Sequence, residues 1–160
     1  IWSRELTLQF MKIADDEGWD IAVHDCSNYT KFARGLNQSA KEGKWFDSNI
    51  ISDMRTASAS NKYISFLRGD NAQSVIVNPN LNDKTVCVVI KESFGNAFVP
   101  FLVPHYQYIY VLDYRYFNKL DSRGIVQFSA DACATDIIFI NNISATRNKT
   151  LVGYIDAFVR

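Results

Sequence analysis

Residues 85–113 read TVCVVIKESFGNAFVPFLVPHYQYIYVLD, and the order of apolar run, break and apolar run in this stretch decides the fold. The β-branched run at 86–90 predicts a strand covered on both faces. It breaks at Lys91-Glu92-Ser93-Phe94-Gly95-Asn96, and an apolar helical region follows over 94–105. A second apolar run at 108–112 predicts another strand. Such a strand, sharp turn and helix would lift Ser93 clear of the sheet, beside the backbone N–H groups that open the helix. That is where a nucleophile with an oxyanion site belongs. It is also where an ordinary serine caps a helix, and the motif alone favours that reading.

Outward from this stretch the alternation continues. Residues 74–77 predict a strand, preceded by a Gly69-Asp70-Asn71 turn and ended by Asn78-Pro79-Asn80. Downstream come a helical stretch within 122–134, a strand at 136–140 and a closing helix at 148–159. Strands separated by helix-length segments predict an α/β three-layer sandwich with a mostly parallel sheet and helices on both faces. The runs at 86–90, 108–112 and 136–140 should be parallel neighbours, with the first in the centre. Pro100 and Pro104 predict a kink or a loop in the region after Ser93. Toward the N-terminus, Ser3 is placed to cap a helix through Ala14, Gly18 to stop it, and 19–23 to form a short strand. Residues 29–55 are polar and without a clear period, so loop and short helix are expected there.

Composition narrows the class. A chain of 160 residues, 48% hydrophobic, has the means to bury one core, so a single domain over 1–160 is expected. Lys+Arg and Asp+Glu balance at 17 each, which advertises no basic face for nucleic acid. No apolar run approaches the roughly 20 residues of a membrane-spanning helix. Cys26, Cys87 and Cys133 have no C-x-x-C spacing, and His24-Asp25-Cys26 lacks a second ligand pair, so neither a metal nor a cofactor is expected. Asn-x-Ser/Thr sequons begin at Asn28, Asn37, Asn142 and Asn148, a number an Asn-rich chain produces by chance.

In an open parallel sheet the site lies beyond the carboxyl ends of the strands. That rule selects Ser93, then Asp113 and Arg115, then Asn141 and Asn142. It excludes His105 as the base for Ser93, because a helical run of that length returns about 15 Å to the opposite edge of the sheet. His24 and Asp25 are adjacent, and neighbours on an extended backbone point to opposite faces, which makes a poor His–Asp relay. A serine-hydrolase triad is therefore not completed by this chain.

The run VCVVIKESFGNAFVPFLVPHYQYIYVLDYRYF resembles the C-terminal signature of the DHHW-type proteins, bacterial envelope relatives of the SGNH hydrolases and of the alginate O-acetyltransferase class. Ser93 matches the family serine, Pro100-Phe101-Leu102 its Pro-Phe-Leu, and Asp113-Tyr114-Arg115 its Asp-x-Arg. YISFLRGD at 63–70 and DIIFINN at 136–142 are similar to the flanking segments, while Glu92 stands where the family usually has Asp. Trp2-Ser3-Arg4-Glu5-Leu6-Thr7 resembles the tryptophan and helix start that follow the Asp-His-His-Trp motif. The resemblance implies an SGNH/flavodoxin-like domain incomplete at its N-terminus, with the catalytic Asp and His preceding Trp2 in a missing N-terminal portion.

It further implies acyl-ester chemistry on an envelope carbohydrate or acetyl ester, as an O-acetyltransferase or acetylesterase outside the cytoplasm. Ser93 would be the nucleophile, with N–H groups around Phe94 and Gly95 facing the oxyanion. Asn96 would either assist them or cap the helix. Arg115 would either orient a polar substrate group or pair with Asp113 or Glu92. Asn141 and Asn142 would either line the site or end a strand. The alternative is a catalytically inactive carbohydrate-binding or interaction module, with Tyr106, Tyr108, Tyr110, Tyr114, Tyr116 and Phe117 as its aromatic supply.

Overall fold

The computed structural model describes residues 34–159. The helix expected from Ser3, the strand at 19–23, and His24, Asp25 and Cys26 lie outside the described residues. Among the described residues six strands form one sheet: β1 (Arg34–Ser39), β2 (Trp45–Ser48), β3 (Asn71–Val77), β4 (Val86–Lys91), β5 (Tyr108–Asp113) and β6 (Asp136–Ile140). Their order across the sheet is β2-β1-β3-β5-β4-β6. Two α-helices follow β5, α1 (Ile125–Asp131) before β6 and α2 (Lys149–Val159) after it.

The three strongest apolar runs behave as expected. β4 lies between β5 and β6 and pairs with both in parallel, Val86 opposite Tyr108 and Lys91 opposite both Asp113 and Ile140. Every residue of β4 is buried, which is why its sequence is apolar without alternation. Its side chains alternate between two cores. Cys87 and Val89 join Ile109 and Val111 on one face, while Val88 and Ile90 join Leu112 on the other.

The sheet as a whole is not mostly parallel. The pairings β1–β2, β1–β3 and β3–β5 are antiparallel, so antiparallel pairs outnumber the two parallel ones and the sheet is mixed. The reason lies in residues 34–48, read from sequence as loop and short helix. RGLNQS and WFDS close instead into a hairpin whose turn is shaped by Gly43 at φ 69, with the Gly43 N–H donating to the Ser39 carbonyl. β1 carries so few apolar residues that its polar composition masks a strand held by ladder hydrogen bonds to β2 and β3.

Nor, among the described residues, do α-helices cover both faces. α1 and α2 pack on one face through Ile125, Phe128 and Phe158. The opposite face is covered by Ile50, Leu67, Val99, Leu102 and Val103. The region expected to be helical after Ser93 is broken into two 3₁₀ turns, Ser93–Ala97 and Val99–Leu102. Pro100 sits within the second and offers no N–H, which prevents a continuous α-helix. Residues Ala59–Ser65 form a further 3₁₀ helix.

Among the described residues β6 is an edge strand. Ile138 and Ile140 pack against the first core, but Ile137 is 54% and Phe139 42% exposed, and Ile143 just beyond the strand is 78% exposed. Among the described residues no helix is long and apolar enough to cross a membrane.

Candidate functional site at the carboxyl ends of the parallel strands

The parallel registers bring the carboxyl ends of β4, β5 and β6 to one edge, and with them Ser93, Asp113, Arg115, Asn141 and Asn142. His105 precedes β5 and stands exposed at the opposite end, where Tyr108 pairs with Val86. It is the only histidine among the described residues.

Ser93 opens the first 3₁₀ turn and is half-buried, its hydroxyl donating to Glu92 Oε2 at 3.1 Å. The Phe94 N–H donates to the same oxygen at 3.3 Å, although the Phe94 ring is exposed. The Gly95 N–H donates to the Glu92 carbonyl at 3.0 Å. Gly95 is there because nothing larger fits: a Cβ on it would lie 2.4 Å from Lys91 Cβ. The Tyr63 hydroxyl donates to the Ser93 carbonyl. Burial, and then the charges of Asp70 and Glu92, push the Tyr63 hydroxyl above the usual tyrosine range, so it remains a donor.

Behind the turn lies a buried charge cluster. Lys91 Nζ sits 3.0 Å from Asp113 Oδ2 and 3.7 Å from Asp70 Oδ1. Arg115 grips Asp113 with a fork, Nε to Oδ1 at 2.8 Å and Nη2 to Oδ2 at 2.6 Å, and reaches Asp70 at 2.9 Å. Burial works against the Arg115 charge, but the hydrogen bonds and charges of Asp113 and Asp70 outweigh it and hold its pKa above the ordinary value. Asn96 is fully buried in the same cluster, its amide donating to Asp70 Oδ1 at 2.9 Å and its Oδ1 without a partner. Two carboxylates face two cations, so the cluster is neutral as a set.

Asp70 reaches this cluster through an unusual turn. Leu67 and Arg68 both take left-handed backbone, at φ 54 and 59, ahead of Gly69 at φ 96. Asn71 holds the turn by donating to the Leu67 carbonyl at 2.6 Å. Two non-glycine residues in this region store strain that the surrounding contacts must balance.

On the β6 side, Asn141 Oδ1 accepts from the Tyr114 hydroxyl at 2.7 Å, and the Tyr114 ring stacks on Phe139. Burial, followed by the charges of Glu92 and Asp113, pushes the Tyr114 hydroxyl up to about 12. The Asn142 N–H donates to Glu92 Oε1 at 3.1 Å, while its side chain accepts from the Ser144 N–H at 2.6 Å. Of the aromatic residues considered for stacking on sugars, Tyr114 and Phe117 are fully buried core. Tyr116 is half-buried, flanked by Arg115 and Lys119 over its ring.

Sequence reasoning had not singled out Tyr63, Asp70, Lys91 or Glu92 as site residues. A lysine at the end of an otherwise apolar strand was the available signal for Lys91, since a buried cation demands carboxylates nearby. No group of three or more candidate metal ligands exists among the described residues.

The DHHW protein family matches residues 24–112. No curated relative matches the chain by sequence. Among solved structures, a DHHW family protein from Eubacterium siraeum DSM 15702 is similar with a TM-score of 0.62 and 26% identity, over 81% of this chain and 41% of that one. Bacillus cereus PatB1 is similar with a TM-score of 0.60 and 21% identity, over 75% of this chain and 38% of that one. PatB1 with a sulfonyl adduct gives 0.59 and 21%, over 75% and 39%. The chain thus spans about two fifths of the length of these structures, and at 21% identity the likeness to PatB1 is one of fold.

Proposed function

The chain belongs to the DHHW family, and from that premise we propose that it carries the serine-bearing part of an SGNH-type acyl-ester enzyme, acting on acetyl groups of a cell-envelope carbohydrate. One observation carries the reading: Ser93 stands half-buried at the carboxyl end of a central parallel strand, where the ends of both neighbouring strands converge. That is where the chemistry of an open parallel sheet is done. In the reaction Ser93 Oγ attacks the ester carbonyl, and the acetyl group passes to the serine as the alcohol leaves. Transfer of that acetyl group to a second sugar, or to water, completes the cycle.

The acid and base come from outside the described residues, from another part of the same protein. The β6 edge suits that part, because its exposed Ile137, Phe139 and Ile143 adjoin Asn142, which is bonded to Glu92 beside the serine. Arg115 and Asp113 are assigned to the support of the turn, and Asn141 and Asn142 to its rim.

One observation favours the second reading, an inactive binding module. The Phe94 and Gly95 N–H groups, expected to face an oxyanion, are both already bonded to Glu92. Hydrolysis of an activated acetyl ester by the full-length protein separates the two. Ser93→Ala should abolish it with the fold intact, and equal activity in both proteins would leave only the binding module.

A further inference from the structure

Glu92 is 4% exposed, yet its carboxylate accepts hydrogen bonds from three groups on two segments. Oε2 takes the Ser93 hydroxyl and the Phe94 N–H, and Oε1 takes the Asn142 N–H from the loop after β6. The carboxylate is therefore the bridge between the turn that carries the serine and the rim of the site on the neighbouring strand. From this geometry we infer that Glu92 is a positioning residue for Ser93, one that sets the serine turn in register with the β6 rim. The inference rests on the assignment of Ser93 as nucleophile.

A serine hydroxyl has one proton, and it can be donated to Glu92 or to a base but not to both. When a base takes the hydroxyl proton, the bond between Ser93 and Glu92 is lost. The two bonds from backbone N–H groups remain, and they still fix where the Ser93 backbone stands relative to Asn142. Glu92 neither takes up the reacting proton nor touches the acyl group. Its charge is what allows one side chain to accept from opposite directions: both oxygens of a carboxylate are acceptors, whereas a carboxamide offers one acceptor and one donor.

This difference supplies the test, made on the full-length protein with an activated acetyl ester as substrate. Glutamine matches glutamate in shape but turns an NH2 group toward one of the N–H donors it must satisfy. Aspartate keeps two accepting oxygens but is one methylene shorter. The expected order of kcat is wild type, then Glu92→Asp, then Glu92→Gln, with Gln down by about 10- to 100-fold, as misplacement by around an ångström costs. KM should stay within about twofold, since a positioning loss falls on the transition state. Amide exchange at Asn142 or at Phe94, whichever faces the NH2 group, should speed up in Glu92→Gln relative to wild type.

A kcat for Glu92→Gln equal to that of wild type, with Ser93→Ala inactive, overturns this inference alone. So does a loss confined to KM, or exchange rates unchanged at both Asn142 and Phe94. Full activity in Ser93→Ala overturns the nucleophile assignment and this inference with it.

Discussion

Asp113→Asn tests the buried charge cluster with the smallest change of shape. Asp113 is fully buried and accepts from Lys91 Nζ at 3.0 Å and from the Arg115 fork at 2.6 and 2.8 Å. Neutralising it leaves Lys91 facing only Asp70, at 3.7 Å, and the cluster with a surplus positive charge. Breaking a buried pair by removing one partner costs about 3 to 5 kcal/mol, and about 1 kcal/mol moves Tm by roughly 3 °C in a chain of this size. Asp113→Asn should therefore lower Tm by roughly 10 °C. Lys91→Met should cost less, because the Arg115 fork still holds Asp113. The double variant removes both charges and leaves Arg115 on Asp70 at 2.9 Å, so it should be more stable than Asp113→Asn alone. Urea denaturation of all four proteins gives the coupling, expected at about 2 kcal/mol. A double variant whose loss equals the sum of the singles, or an Asp113→Asn cost under about 1 kcal/mol, would refute the reasoning.

Gly95→Ala should destabilise by at least about 2 kcal/mol, because its Cβ would meet Lys91 Cβ at 2.4 Å and the backbone must shift. Denaturation midpoints check this, and an alanine variant as stable as wild type would show that the turn is loose. Burial pushes the Cys87 thiol up to about 12, with the nearby Asp136 charge adding to the effect, whereas Cys133 is exposed. An alkylating reagent at pH 8 should label Cys133 in the native protein and Cys87 only after unfolding, as read by peptide mass spectrometry. The same shift has a sign in stability. The unfolded thiol ionises near 9 while the folded one keeps its proton toward 12, so stability is full below pH 9 and falls as pH rises above it. Replacing Cys87 with Ala should flatten that fall, and an unchanged slope would contradict it.

Legibility in the sequence followed the density of apolar residues. The runs that became β4, β5 and β6 were visible as short apolar stretches, unbroken in β4 because it is buried on both faces, and their parallel order followed from the spacing between them. The β1–β2 hairpin was hidden because RGLNQS earns its place through ladder bonds to partners far along the chain, a non-local signal that local composition does not carry. The convergence of Ser93, Asp113, Arg115, Asn141 and Asn142 at one edge was readable from the strand-end rule alone. Asp70 was not, since its approach depends on left-handed backbone at Leu67 and Arg68, residues with no preference for it. Glu92 was noted only as a departure from a pattern, and its three-way bridge appears only when the loop after β6 is in place.

The nucleophile assignment is tested most directly by treating the full-length protein with an aryl sulfonyl fluoride and locating the adduct by peptide mass spectrometry. A serine activated for attack forms a stable sulfonyl ester, whereas an ordinary capping serine does not react. The account predicts a single adduct, on the peptide containing Ser93, absent in Ser93→Ala and formed more slowly in Glu92→Gln. An unlabelled protein, or an adduct that survives Ser93→Ala, would contradict it.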